Sequence, residues 1–460
     1  MPSAYSVLLI IIGALALVTF CIPSVKNATV GLVVMSPVKG FVEAIDVALF
    51  VMILGGFLGV INKTKALESG IGRIVKKLKG KELIMIPILM TLFSLGGSTY
   101  GMAEETIAFY GLIIAAMMAA GFDSMVGAAV VLLGAGVGVL GSTVNPFAIG
   151  AAVDALKSSI PGIEINQSII IGLGAILWVT SLIIAIFFVM RYAKKVQKNK
   201  DASILSKEEI AASEKAFGNP DSKEGIELTG KRKIVLVIFA ICFIIMIVSL
   251  IPWADFGVHI FEGTTNILTG ANLGEWYFQE LSAWFFIGAV VAGIAYRMKE
   301  KEIVEAFVDG AASMMGVVLV IAVSRGIKVI MDGTGLGDYI LNAAANMLEG
   351  VSGGLFTVLS YIVFVGLSFL IPSTSGLAGA SMPIMGGLAH TLSLSPEVMI
   401  MIFCAACGLV NLITPTSAVV MGGLAVSKIE FSTWIKFVGK VLLTLFIANV
   451  LILSIAMMIL

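Results

Sequence analysis

The chain has 460 residues, 59% of them hydrophobic and 13% charged, with 29 basic against 29 acidic side chains and a mean hydropathy of +1.06. Soluble domains run at about 45–50% apolar and about 25% charged, so this composition belongs in a bilayer and excludes an ordinary soluble globule. A net charge of zero with no concentrated basic face gives no reason to expect nucleic acid, and two histidines are too few for a His-rich metal site.

The residues from Met1 to Pro23 carry no Lys or Arg before the first apolar run and no A-x-A-like cleavage pattern, so they read as a retained first helix. A spanning helix needs roughly 20 mostly apolar residues. That rule predicts spans at 5–24, 43–62, 124–156 (broken), 168–190, 233–252, 281–296, 305–330, 396–424 (broken) and 433–459. Cys21, Cys242, Cys404 and Cys407 all sit in apolar runs and read as small core residues. The C-x-x-C at 404–407 has no second Cys or His pair beside it, which argues against a metal or redox role.

Lysine and arginine set the direction. Lys63, Lys65, Arg73, Lys76, Lys77, Lys79 and Lys81 follow the second span, and Arg191, Lys194, Lys195, Lys198 and Lys200 follow span 168–190. Both clusters are expected in the cytoplasm. The segment between them, 82–121, must therefore enter and leave on one side. Its first arm, Glu82 to Gly96, has 15 residues, about 22 Å of helix against a hydrocarbon core of roughly 30 Å. It is expected to be a re-entrant hairpin with its tip at Gly97-Ser98-Thr99-Tyr100-Gly101, and 353–394 a second one, entering from outside, with its tip at Pro372-Ser373-Thr374-Ser375-Gly376. The polar linker from about Lys194 to Arg232 is too short for a folded catalytic domain. Residues 208–215 suit an amphipathic surface helix and 218–222 a turn, so the linker is expected only to connect.

These elements fall into a repeat. LFSLGGSTYGMAEET…GVLGSTVNPFAIG (Leu92 to Gly150) is answered by LSFLIPSTSGLAGAS…GLVNLITPTSAVV (Leu367 to Val420), with Pro146 matching Pro415. The expected organisation is a first repeat over 1–192, a linker with one unpaired span (233–252) and an outer loop over 193–278, and an inverted second repeat over 279–460. An odd number of crossings puts the N-terminus inside and the C-terminus outside. Paired helix interruptions in inverted halves mark a transport site, because hydrocarbon cannot satisfy freed backbone N–H and C=O groups.

The candidate substrate residues lie at these breaks: Gly97, Ser98, Thr99, Asn145, Ser373, Thr374, Ser375, Asn411 and Thr414. A helix that restarts at a tip offers free N–H groups and a positive dipole end to a carboxylate. Ser142, Thr143, Asn145, Thr414, Thr416 and Ser417 are candidates for coordinating a coupling Na⁺ through hydroxyls and unwound carbonyls. The competing structural role is a helix cap or a bond back to the preceding turn. Glu104 and Glu105 stand apart, because a charge near bilayer mid-depth costs about 2.5–3.5 kcal/mol or more unless it is partnered. They suit a counter-charge for a cationic substrate or a proton carrier; a fixed salt bridge, or exposure to a water-filled cavity, is the structural alternative. Arg325 and Lys328 are expected to snorkel near the outer end of their helix.

LGGSTYGMAEETIAFYG, GTGLGDYIL, FLIPSTSGLAGASMPIM and NLITPTSAVVMGGLAVSKIEFSTWIKF resemble the YfcC-like membrane proteins, grouped with anaerobic C4-dicarboxylate carriers and ArcD-type arginine/ornithine exchangers in the ion transporter superfamily. The resemblance implies an all-α, elevator-type transporter with two opposed hairpins, working as a homodimer in the cytoplasmic membrane without a cofactor beyond a coupling Na⁺ or H⁺. Dicarboxylate/sodium symporters of that superfamily carry Ser-Asn-Thr at their tips, whereas this chain has Gly97-Ser98-Thr99 and Pro372-Ser373-Thr374. With Glu104 and Glu105 beside the first tip, the expected cargo is a basic amino acid, exchanged as arginine for ornithine. The alternative is H⁺- or Na⁺-coupled uptake of a C4-dicarboxylate or other carboxylate. An enzyme using the glutamates as acid and base finds no support in a nucleophile–base pair or metal cluster, and a channel would pass current without saturation or counterflow.

Overall fold

A computed structural model describes residues 4–67, 69–70, 73, 81–103, 106–217, 227–250, 253–371 and 373–460, and the regular structure among them is helical throughout. In chain order the helices are α1 (Ala4–Thr19), α2 (Val30–Glu43), α3 (Ile45–Lys63), α4 (Met85–Tyr100), α5 (Ile107–Ala119), α6 (Ser124–Leu140), α7 (Ala151–Ser159) and α8 (Gln167–Lys198). They continue with α9 (Lys207–Phe217), α10 (Gly230–Leu250), α11 (Phe278–Tyr296), α12 (Glu300–Ser313), α13 (Met315–Thr334) and α14 (Leu336–Leu348). The last five are α15 (Gly353–Leu370), α16 (Thr374–Thr391), α17 (Pro396–Val410), α18 (Ala418–Ser427) and α19 (Phe431–Ile459). Among the described residues seven helical stretches are long and apolar enough to cross a membrane. The chain is a multi-pass membrane protein.

Contacts sort the helices into two groups. In one, α2 packs on α13, α3 on α12 and α11, α1 on α13, and α10 on α11. In the other, α6 packs on α4, α5 and α8, α17 packs on α15, α16 and α19, and α6 meets α17 directly. Helix α16 also crosses to α7, and α18 crosses to α5. The groups touch through α13 with α18, α14 with α15 and α16, and α3 with α5. The centre of the second group is dry: nearly every residue of α6 and α17 is buried, which accounts for their near-continuous apolar sequence.

The structure departs from the expected elements in four places. Helix α2 lies where no span is predicted; it holds Pro37 internally and starts at Thr29, whose side chain accepts the Leu32 N–H. Helices α2 and α3 meet at Ala44, and the expected single span 305–330 is two helices, α12 and α13, meeting at Met314. Neither joint carries Gly or Pro, so no breaker residue signals it. Third, helix α4 runs through most of the expected first tip: Gly97, Ser98 and Thr99 are helical, and α4 ends at Gly101, the last residue of that tip, with φ +80°. Residues 82–99 then form 18 residues long and apolar enough to cross, so the length argument for a re-entrant arm does not hold. Fourth, the linker does more than connect. Glu209 of α9 is buried and accepts the Glu430 N–H ahead of α19 at 2.8 Å. Asp123, which caps α6, accepts hydrogen bonds from Tyr192 at 2.6 Å and Ser203 at 2.7 Å.

Candidate functional site

A cavity of about 170 Å³ opens where the two groups of helices meet. From the second group it is lined by Gly101, Met102, Ala103 and Thr106, by Asn145 and Phe147, by Ser373, Thr374 and Ser375, and by Asn411, Thr416 and Ser417. The two positions of α6 that are not buried, Gly136 and Val139, also face it. From the first group come Val47 of α3, Phe278 of α11 and Arg325 of α13. All four helix breaks therefore converge on one space.

The break residues divide into those that hold the backbone and those left open to the cavity. Ser98 is fully buried and donates to the Gly141 carbonyl at 2.9 Å. Its own carbonyl accepts the Thr143 N–H at 2.9 Å and the Thr143 hydroxyl at 3.1 Å. Thr416 does the same in the other half, donating to the Phe369 carbonyl at 3.3 Å. Each break in a long helix is thus stitched by a threonine to the arm beside it. Ser142 bonds back to Val139 and Thr99 to Leu95; Thr414 is fully buried against Thr416. Gly97 packs against the α6 backbone at Ala135 and Val139. None of Gly97, Ser98, Thr99, Ser142, Thr143 and Thr414 lines the cavity; their hydroxyls and close contacts are engaged at the breaks.

Asn145 does both. Its side-chain oxygen accepts the Phe147 N–H at 2.9 Å and the Ala148 N–H at 3.3 Å, and its amide donates to Ser142 at 3.1 Å. These bonds satisfy N–H groups freed at the break. Gly101 lies against that side chain: a Cβ there would stand 2.7 Å from the Asn145 oxygen, and φ +80° already disfavours any L side chain. Ser373 and Ser417 act as N-caps of α16 and α18.

Thr374, Ser375 and Asn411 line the cavity, and among the described residues their side chains have no hydrogen-bond partner. They are the polar groups left over once the breaks are satisfied. Glu104 and Glu105 lie outside the described residues, as does Pro372. Sequence reasoning did not place Arg325 at the site, though it lines the cavity, and it missed the aromatic wall of Phe147 and Phe278. Phe147 stacks on Phe278 with centroids 6.3 Å apart and meets Tyr277 edge-on at 5.4 Å.

Residues 26–458 match the model of the family described as C4-dicarboxylate anaerobic carrier. The chain belongs to this family. It is a membrane transporter and not an enzyme. An uncharacterized protein of Haemophilus influenzae is 31% identical over 404 residues, which cover 88% of this chain and 74% of that one. The Escherichia coli protein named "Putative basic amino acid antiporter YfcC" is 27% identical over 420 residues, covering 88% and 76%. Two solved structures align along almost the whole chain. MtrF of Neisseria gonorrhoeae, titled with a class of antimetabolite efflux pumps, shows 17% identity and a TM-score of 0.45, covering 100% of this chain and 96% of its own. The Alcanivorax borkumensis YdaH transporter shows 15% identity and a TM-score of 0.48, covering 99% and 98%.

Proposed function

We propose that this carrier is a secondary transporter of a small amino acid, with a basic amino acid exchanged as arginine for ornithine as its cargo, and that the cavity at the four breaks is the substrate site. The observation that carries this reading is the leftover polarity of Thr374, Ser375 and Asn411 in a space lined by both groups of helices. An α-carboxylate meets donors there, while a cationic side chain meets Glu104 and Glu105, which follow Gly101 in the sequence. The printed name of the Escherichia coli relative supports the same cargo.

In this reading the inverted repeats build an elevator of the ion transporter superfamily. The group containing α4 to α8 and α15 to α19 moves with its two opposed re-entrant hairpins, and the group containing α1 to α3 and α11 to α13 stays as scaffold in a homodimer. The protein sits in the cytoplasmic membrane with its N-terminus inside and its C-terminus outside. Ser142, Thr143, Asn145, Thr414, Thr416 and Ser417 remain the candidates for an ion-coupling role.

A second reading, uptake of a C4-dicarboxylate driven by H⁺ or Na⁺, is favoured by the family description and by the positive charge of Arg325 in the cavity. Transport by Glu104→Gln and Glu105→Gln separates the two. Under the first reading, arginine counterflow into proteoliposomes falls sharply in at least one variant at normal membrane insertion. Full arginine transport in both variants overturns the role given to the acid pair.

A further inference from the structure

Arg325 sits midway along the 20-residue α13, and it is one of the residues that line the cavity. The helix is held there by backbone contact: Gly40 of α2 lies against the backbone of Ala322, Arg325 and Gly326, with no room for a Cβ between them. The other cation on this helix is neutralised within the protein, since Lys328 pairs with Asp332 and with Glu43, the latter at 3.7 Å. Arg325 makes neither ion pair nor hydrogen bond among the described residues. A buried charge is costly without a partner, and this residue lines a space that also holds Thr374, Ser375 and Asn411, whose side chains have no partner among the described residues.

We propose that Arg325 is the residue that selects for a carboxylate in the cargo. Its planar guanidinium takes both carboxylate oxygens from the α13 wall, and Thr374, Ser375 and Asn411 hydrogen-bond the same cargo from the moving wall. The requirement is then one carboxylate, whether the rest of the molecule is a cationic side chain or a second acid. This rests on reading the cavity as the substrate site, and it makes a contact with Arg325 the link between cargo and scaffold. Lysine, a point charge with a different reach, substitutes only in part.

The test measures ligand-dependent thermal stabilisation of the purified full-length protein with two pairs of probes. Arginine is compared with agmatine, which lacks the carboxylate, and succinate with succinamide. At least one acid stabilises the wild type while its carboxylate-free partner does so at least tenfold more weakly. Arg325→Gln weakens binding of that acid at least tenfold and removes the discrimination, Arg325→Lys falls between, and neither lowers the unliganded Tm. Equal binding of acid and carboxylate-free partner, or an acid bound by Arg325→Gln as tightly as by wild type, overturns the proposal alone. No stabilisation of the wild type by any of the four probes overturns the proposal together with the reading of the cavity.

Discussion

The Thr143 hydroxyl and backbone N–H both reach the Ser98 carbonyl, at 3.1 Å and 2.9 Å, so the break after α6 is fastened to the end of α4. The N–H bond survives any side-chain change. Thr143→Val should therefore lower stability by about 1 kcal/mol, the net worth of one buried hydrogen bond, and Thr143→Ser should restore it. Thermal unfolding of the two variants in detergent checks this.

Gly101 and Asn145 make the sharper steric case. Alanine at 101 meets the left-handed backbone penalty of about 1–2 kcal/mol and an overpacking cost of about 1–3 kcal/mol against the Asn145 side chain. Gly101→Ala should insert, unfold at a lower temperature and transport at least about tenfold more slowly. Wild-type stability and rate in this variant would remove the contact from the account.

Asn411 and Thr414 lie three residues apart in the same break and should behave oppositely. Asn411 lines the cavity without a partner among the described residues, so Asn411→Ala should raise KM about three- to tenfold, the loss of one hydrogen bond to cargo, with little change in unliganded Tm. Thr414 is buried against Thr416, so Thr414→Val should lower Tm. Kinetics paired with melting curves separates the two.

Glu209 ties the linker to α19 by accepting the N–H groups of Glu430 and Ser206 at 2.8 Å and 2.7 Å. Glu209→Ala leaves both without that acceptor, at about 1–3 kcal/mol for each N–H that water does not reach, and should speed trypsin cleavage at Lys207 and Lys215 severalfold. Glu209→Gln keeps one oxygen and should lie between.

How much of this was legible in the sequence depends on the local signal. The breaks after α6 and α17 were visible because Pro146 and Pro415 stand beside Asn and Thr in otherwise apolar runs. The joints at Ala44 and Met314 were not, because each is a single residue and no breaker marks it. That error hid Arg325. Read as one span ending at 330, the segment puts Arg325 near a helix end, whereas α13 begins at Met315, ends at Thr334 and carries it in the middle. The first tip was drawn over 97–101 because small hydroxyl-bearing residues cluster there, yet Gly97 is used for close packing on α6 and the chain turns only at its last residue, Gly101. Which of these serines lines the cavity was beyond the sequence, since Ser98 and Ser375 differ in what lies opposite them.

The most direct measurement is uptake into proteoliposomes loaded with unlabelled ornithine, comparing labelled arginine with labelled succinate, without and then with imposed Na⁺ and pH gradients. The account predicts arginine accumulation that requires internal ornithine and needs no gradient. Gradient-driven succinate uptake with no arginine exchange would contradict it and leave the dicarboxylate reading in its place.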